Sequence, residues 1–175
     1  IGEEAMSKPT AELGNPGSGI LSRTVYRATR APGRIFHVGR SWAYDTPKYH
    51  EDAELNHRSY ILSAYFPTQL SSLKTTEAVI TQADHRWRFT PELCAAYGRL
   101  GIESQYYYMN VARDNNLPAY QTSGGYVQLR GLLKGSHYEY NEANSWMGPA
   151  GKGVWECVLG YNNIDLNHDK SEIQG

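Results

Sequence analysis

Polar and apolar positions change rhythm several times along the chain. Residues 1–20 are small and rich in Gly, Pro and Ser, and read as a poorly ordered arm. Residues 24–28 (TVYRA) form a short strand candidate, and residues 32–38 predict a helical turn opened by Pro32 and stopped by Gly39. Residues 40–57 carry Pro, Asp, Asn and several charges and predict a long loop, followed by an apolar strand candidate at 59–64. Over residues 68–82, Leu70, Leu73, Ala78 and Val79 recur among polar positions, the spacing of an amphipathic helix. Thr90-Pro91-Glu92 has the form of a helix start, with Thr as cap and Pro in the first turn, and that helix would run to about Leu100 and stop at Gly101. Residues 105–113 (QYYYMNVAR) are the strongest strand signal, residues 127–133 suggest another short helix, and residues 153–161 a last strand before a polar tail. Helices and strands mixed this irregularly favour an α+β domain over a doubly wound sheet. The expected organisation is an arm at 1–20, one domain at 21–165 and a tail at 166–175.

Composition narrows the function classes. With 175 residues, 40% hydrophobic and 20% charged, the chain fits one ordinary globular domain with a sizeable core. No apolar run approaches the roughly 18 residues of a helical membrane span, so no membrane span is expected. A formal charge of −1 argues against broad attraction to nucleic acid or anionic lipid. The 14 tyrosines suit strands and half-wet clefts. Two cysteines, Cys94 and Cys157, occur without a Cys-x-x-Cys or Cys/His cluster, so a zinc site is not expected; one disulfide and two unrelated thiols both remain open. Residues 1–19 hold no basic-then-apolar leader pattern, as though a leader had been removed or the sequence began after one.

Three stretches, in order, carry a resemblance. The first is Thr24-Val25-Tyr26-Arg27, then Arg30, Pro32, Ile35, Phe36 and Gly39; the second is residues 107–116 (YYMNVARDNN); the third is Glu142 followed by Pro149 and the strand at 154–161. Together they cover about residues 24–163 and resemble the catalytic chains of pertussis-like ADP-ribosyltransferase toxins. The resemblance implies a split mixed sheet with flanking helices around a cleft that takes NAD as substrate, without a metal.

Carried over residue by residue, the resemblance makes Arg27 a cofactor-binding residue, its planar guanidinium suited to bidentate contact with a phosphate or with backbone carbonyls lining the site; the plain alternative is a strand-end Arg in a surface ion pair. Ser63 stands where the family has Ser-Thr-Ser and would support the site; the plain alternative is a small residue tolerated in a strand. Trp42 would lie by the nicotinamide pocket or be a half-buried loop tryptophan. Glu142 would stabilise the oxocarbenium-like charge that forms as nicotinamide leaves, with Glu139 competing for that role and a pair of solvated loop carboxylates as the plain reading of both. His50 and His57 receive no role.

The sequence departs from the family pattern at three points: the Asp after the strand Arg is missing, Ser-Thr-Ser is reduced to Ser63, and Tyr140 replaces the acid or amide before the catalytic Glu. The expectation is therefore a secreted toxin or effector that transfers ADP-ribose to a target-cell protein or hydrolyses NAD, with a delivery subunit as a further partner. The alternative is an inactive effector that keeps the fold and acts by binding a host protein. Arg27 and Glu142 favour the enzyme; the three departures favour the alternative.

Overall fold

Residues 100–113 set the pattern for the whole molecule. Gly101, Glu103, Gln105 and Tyr107 alternate with Leu100, Ile102, Ser104 and Tyr106, and each set lies on one face of a single long strand. A computed structural model describes residues 17–29, 31–47, 58–65 and 74–168, and among them the chain is all β, with no helix. The strands are β1 (Gly19–Thr29), β2 (Arg34–Asp45), β3 (Ser59–Tyr65), β4 (Lys74–Thr81), β5 (Ala83–Tyr97), β6 (Leu100–Arg113), β7 (Tyr120–Lys134), β8 (Tyr138–Asn141), β9 (Trp146–Pro149) and β10 (Trp155–Asp165).

Six long strands form one sheet in the order β1-β2-β5-β6-β7-β10, and each pair is antiparallel. The other strands form two hairpins, β3-β4 and β8-β9, inserted between consecutive sheet strands at opposite ends of the sheet. A turn of two residues, Gly98 and Arg99, joins β5 to β6, with Gly98 at φ +56°. Pairing of β5 with β6 runs through Phe89↔Tyr108 and resumes at Glu92↔Gln105. The gap falls at Thr90 and Pro91, because Pro91 has no N–H to give the ladder.

The register makes the two faces unlike. One row across all six strands reads Tyr26, Val38, Leu93, Ser104, Val127 and Tyr161, and the next begins Phe36, Ala95, Ile102, Leu129 and Leu159. Most of these large apolar side chains are exposed, Leu129 at 53% and Leu159 at 71%. Ser104 satisfies its hydroxyl on the backbone carbonyl of Tyr126 at 2.9 Å. On the opposite face the corresponding row reads Arg27, His37, Cys94, Glu103, Gln128 and Gly160, and His37 and Glu103 there are among the most buried of the described residues. Apolar outside and polar inside inverts the arrangement of a water-soluble sheet.

The buried apolar contacts lie where the hairpins fold over the polar face. Tyr138 and Met147 of β8-β9 pack with Ile35, Cys94, Ala96 and Leu132. At the other end Ala78 and Ile80 of β4 pack with Ala83, Val111, Tyr120 and Leu166. Gly101 makes room for the first cluster: a Cβ there would sit 2.8 Å from the Met147 methyl.

The α+β expectation is therefore corrected. Residues 90–97 of the expected helix continue β5, residues 127–133 belong to β7, and residues 34–38 of the expected helical turn begin β2. Residues 74–81 of the expected amphipathic helix are β4, while 68–73 lie outside the described residues. Thr90-Pro91-Glu92 has the letters of a helix cap, but Glu92 and Cys94 turn in while Pro91 and Leu93 turn out, the period of a strand. Residues 40–45 of the expected loop complete β2, and 48–57, with His50 and His57, lie outside the described residues. The strand candidates at 24–28, 59–64 and 105–113 fall within β1, β3 and β6. Of the arm, residues 1–16 lie outside the description, and Gly19 and Ile20 already pair with β2.

Candidate functional site

The polar face carries three charge clusters arranged along the sheet. Near the β3-β4 end, Arg86 donates to both Asp45 carboxylate oxygens, from Nε at 3.0 and 3.1 Å, and Arg88 reaches the same carboxylate at 3.4 Å. The Arg86 guanidinium also lies 4.4 Å over the Tyr60 ring, and the Tyr60 hydroxyl donates to the Asp45 backbone carbonyl at 3.0 Å. Two guanidiniums meet at one carboxylate here.

In the middle, Glu92 is the hub. Arg23 donates to its Oε1 from Nε at 3.1 Å and from Nη2 at 2.6 Å, and Gln105 donates to Oε2 at 3.3 Å. His37, fully buried, lies 3.1 Å from the same Oε1 through Nε2 and 2.8 Å from the Tyr140 hydroxyl through Nδ1. A carboxylate accepts, so Nε2 donates to Glu92; in a neutral ring Nδ1 then accepts from the Tyr140 hydroxyl. Space for the carboxylate comes from Gly39, where a Cβ would stand 2.4 Å from Glu92 Oε1.

Nearest the tight β5-β6 turn, Arg130 grips Glu156 bidentately at 2.7 and 2.9 Å and also donates to Glu103. The Tyr138 hydroxyl donates to Glu156 at 2.7 Å. One guanidinium lies between two carboxylates here, so the cluster itself carries more negative than positive charge. Burial, and then the hydrogen bond to Glu156, hold the Tyr138 phenol above its ordinary pKa.

The structure brings together two of the residues singled out from the sequence. Arg27, on the polar face of β1, donates to the carboxylate of Glu142 in the β8-β9 turn. Its Nε donates to the Thr29 carbonyl at 3.1 Å, and its guanidinium lies 4.4 Å over the Tyr140 ring. Glu139 is in β8, exposed, 3.4 Å from His137. Ser63 sits in β3, across from Glu77, apart from this group. Trp42 points to the opposite, apolar face, in line with Phe89 and Tyr108. Cys94 is buried on the polar face, while Cys157 is exposed on the apolar face; both are free, which leaves the thiol reading rather than the disulfide.

Sequence reasoning missed Arg23, His37, Asp45, Arg86, Arg88, Glu92, Glu103 and Arg130. The signal that carried them was charge confined to alternate positions, as in Arg86, Arg88 and Glu92, which share one face of β5.

No curated protein matches the sequence. Residues 10–174 match the family model described as phosphate-selective porin O and P. That match overturns the resemblance to ADP-ribosyltransferase toxins, and with it the reading of a secreted toxin or effector, active or inactive, with a target-cell protein as partner. It overturns the expected lack of a membrane span as well, because a porin crosses with strands, which need no long apolar run. The roles in NAD chemistry given to Arg27, Trp42, Ser63, Glu139 and Glu142 rested on that resemblance. Matched over nearly its whole length, the chain belongs to the phosphate-selective porin O and P family.

Proposed function

We infer that the six-stranded sheet is an arc of an outer-membrane β-barrel wall and that its charged face lines an anion-conducting pore. The observation that carries this reading is the inverted sheet: exposed Leu, Val, Phe and Tyr on one face, paired charges on the other. In lipid the apolar face is the solvated one, and every backbone polar group must pair within the wall. The strands are 11–15 residues long, enough to cross at a tilt. Trp42, Phe89 and Tyr108 form a cross-strand aromatic row near one end, and Tyr97 lies near the other, the places where aromatic rings meet the headgroups. Arg40, exposed on this face, lies two residues from Trp42 toward the middle of the sheet, so its long side chain must snorkel along the wall toward the aromatic row to keep its charge in water.

Six strands do not enclose a lumen; even eight leave room only for side chains. The pore therefore needs further strands, joined at the edges presented by β1 and β10. Short turns mark the periplasmic side of such barrels and long connections the outer side. The turn at Gly98 and Arg99 then faces the periplasm, with the β8-β9 hairpin on the same side, and the still longer connection through β3-β4 faces outward, next to the Arg86–Arg88–Asp45 cluster. Arginine forks match phosphate oxygens, which suits them to pass or hold that anion.

The test is reconstitution of the full-length protein into planar bilayers. Discrete conductance steps are expected, with a reversal potential in a potassium chloride gradient that reports anion preference, and inorganic phosphate should reduce the chloride current. Absence of channels, or cation preference, would overturn the reading.

A further inference from the structure

The arginines of the charged face differ in one respect. Arg23, Arg86, Arg88 and Arg130 are paired with carboxylates rooted in the wall strands, and those carboxylates are sheltered, with side-chain exposures of 4% for Glu92, 5% for Glu103, 20% for Asp45 and 21% for Glu156. Arg27 is itself sheltered at 15%, yet its carboxylate partner, Glu142, is 77% exposed and sits in the turn of the β8-β9 hairpin. The guanidinium is fixed independently of Glu142. Thr29 holds Nε through its carbonyl, and the Tyr140 ring covers the cationic face. Tyr140 is in turn fixed by His37. A rigid cation is therefore matched with a replaceable anion.

We propose that Glu142 is a tethered competitor for the anion position on Arg27. A passing phosphate displaces the Glu142 carboxylate from the guanidinium, and the carboxylate returns when the phosphate leaves. An exposed carboxylate on a turn gives up little when it swings into water, since ion pairs of this kind contribute weakly. A phosphate offers more charge and more acceptor oxygens to the same fork. The hairpin stays seated during the exchange, because Tyr138 and Met147 remain packed and Tyr138 remains bonded to Glu156. The competitor lowers the dwell time of the anion, which favours flux over capture: a pore that binds too tightly conducts slowly.

This inference rests on the anion-channel reading and is tested in the same bilayers with inorganic phosphate as the probe. In Glu142→Gln the phosphate concentration that halves the chloride current should fall about two- to fivefold, the range an exposed ion pair supports. Glu142→Asp should restore most of the wild-type value. In an Arg27→Gln background, the Glu142→Gln change should have no further effect. A Glu142→Gln channel with unaltered phosphate sensitivity, or a shift that persists without Arg27, would overturn the competitor role while leaving the channel intact. A wild-type protein that forms no anion-preferring channel would instead remove the reading on which the role stands.

Discussion

Gly39 shows how one absent side chain organises the centre of the charged face. Its position on β2 puts it beside Glu92 of β5, and the Glu92 carboxylate lies across the bare glycine to reach Arg23 and His37. A Cβ at Gly39 would meet Glu92 Oε1 at 2.4 Å and Cγ at 2.8 Å, too close for either to stay. Gly39→Val should thus turn the carboxylate away and leave Arg23 and the buried His37 without their shared partner. Stranding sheltered polar and charged groups in this way costs about 3 kcal/mol. The check is unfolding by denaturant in lipid vesicles, with Gly39→Val measured both alone and on Glu92→Ala. On the second background the valine fills space already vacated, so its cost should be much smaller. Equal costs in both backgrounds would separate Gly39 from the Glu92 hub.

The β8-β9 hairpin is the element in which burial and ionisation meet. Burial is the largest cause raising the Tyr138 phenol above its ordinary value, followed by its bond to Glu156; burial also raises Tyr140. A pKa raised on folding means that the folded state binds the phenolic proton more tightly. The stabilisation is fully present below the unfolded tyrosine value of about 10 and is lost as pH rises through the higher folded value. Alkaline solution should then release the hairpin, and a broad-specificity protease should begin to cut residues 142–145 above about pH 10. A Tyr138→Phe, Tyr140→Phe variant has no phenols to ionise at these places, so its cleavage should vary far less with pH. Matching profiles would assign the alkaline change to another element, such as β3-β4, where burial and then the nearby Asp45 charge raise Tyr60.

At the scale of the whole molecule, strand positions were partly legible in the sequence and the solvent was not. Residues 24–28, 59–64 and 105–113 announced strands through β-branched and aromatic residues. The wall of the sheet was hidden because a lipid-facing strand needs only alternate apolar residues, so β10 reads as Cys157, Leu159 and Tyr161 between Glu156, Val158 and Gly160, with no long run to notice. Of the charged face, Arg27 and Glu142 were picked out by a resemblance that the family match overturns, and they proved to touch for a different reason.

The lipid reading makes a depth-resolved prediction that no soluble fold shares. Tyr97 and Trp87 bound the apolar face of β5 and are ten strand steps apart, about 33 Å along the strand. At a tilt of about 40° that spans about 25 Å, the height of a barrel's apolar band. Val127 lies in the row of Val38 and Leu93, near the middle of this span, whereas Tyr97 lies at its rim. Arginine at Val127 should cost about 2–4 kcal/mol when folding is measured in phospholipid vesicles, and arginine at Tyr97 about 0–1 kcal/mol. The sign follows from solvation. A guanidinium on the midplane loses water that the side chain at the rim keeps, and the hydrocarbon offers it no acceptor in exchange. A water-soluble sheet would show no such gradient, since replacing an exposed valine with arginine on a wetted face costs almost nothing. A flat profile from Val127 to Tyr97 would therefore take this face out of the membrane, whatever its pattern of apolar residues.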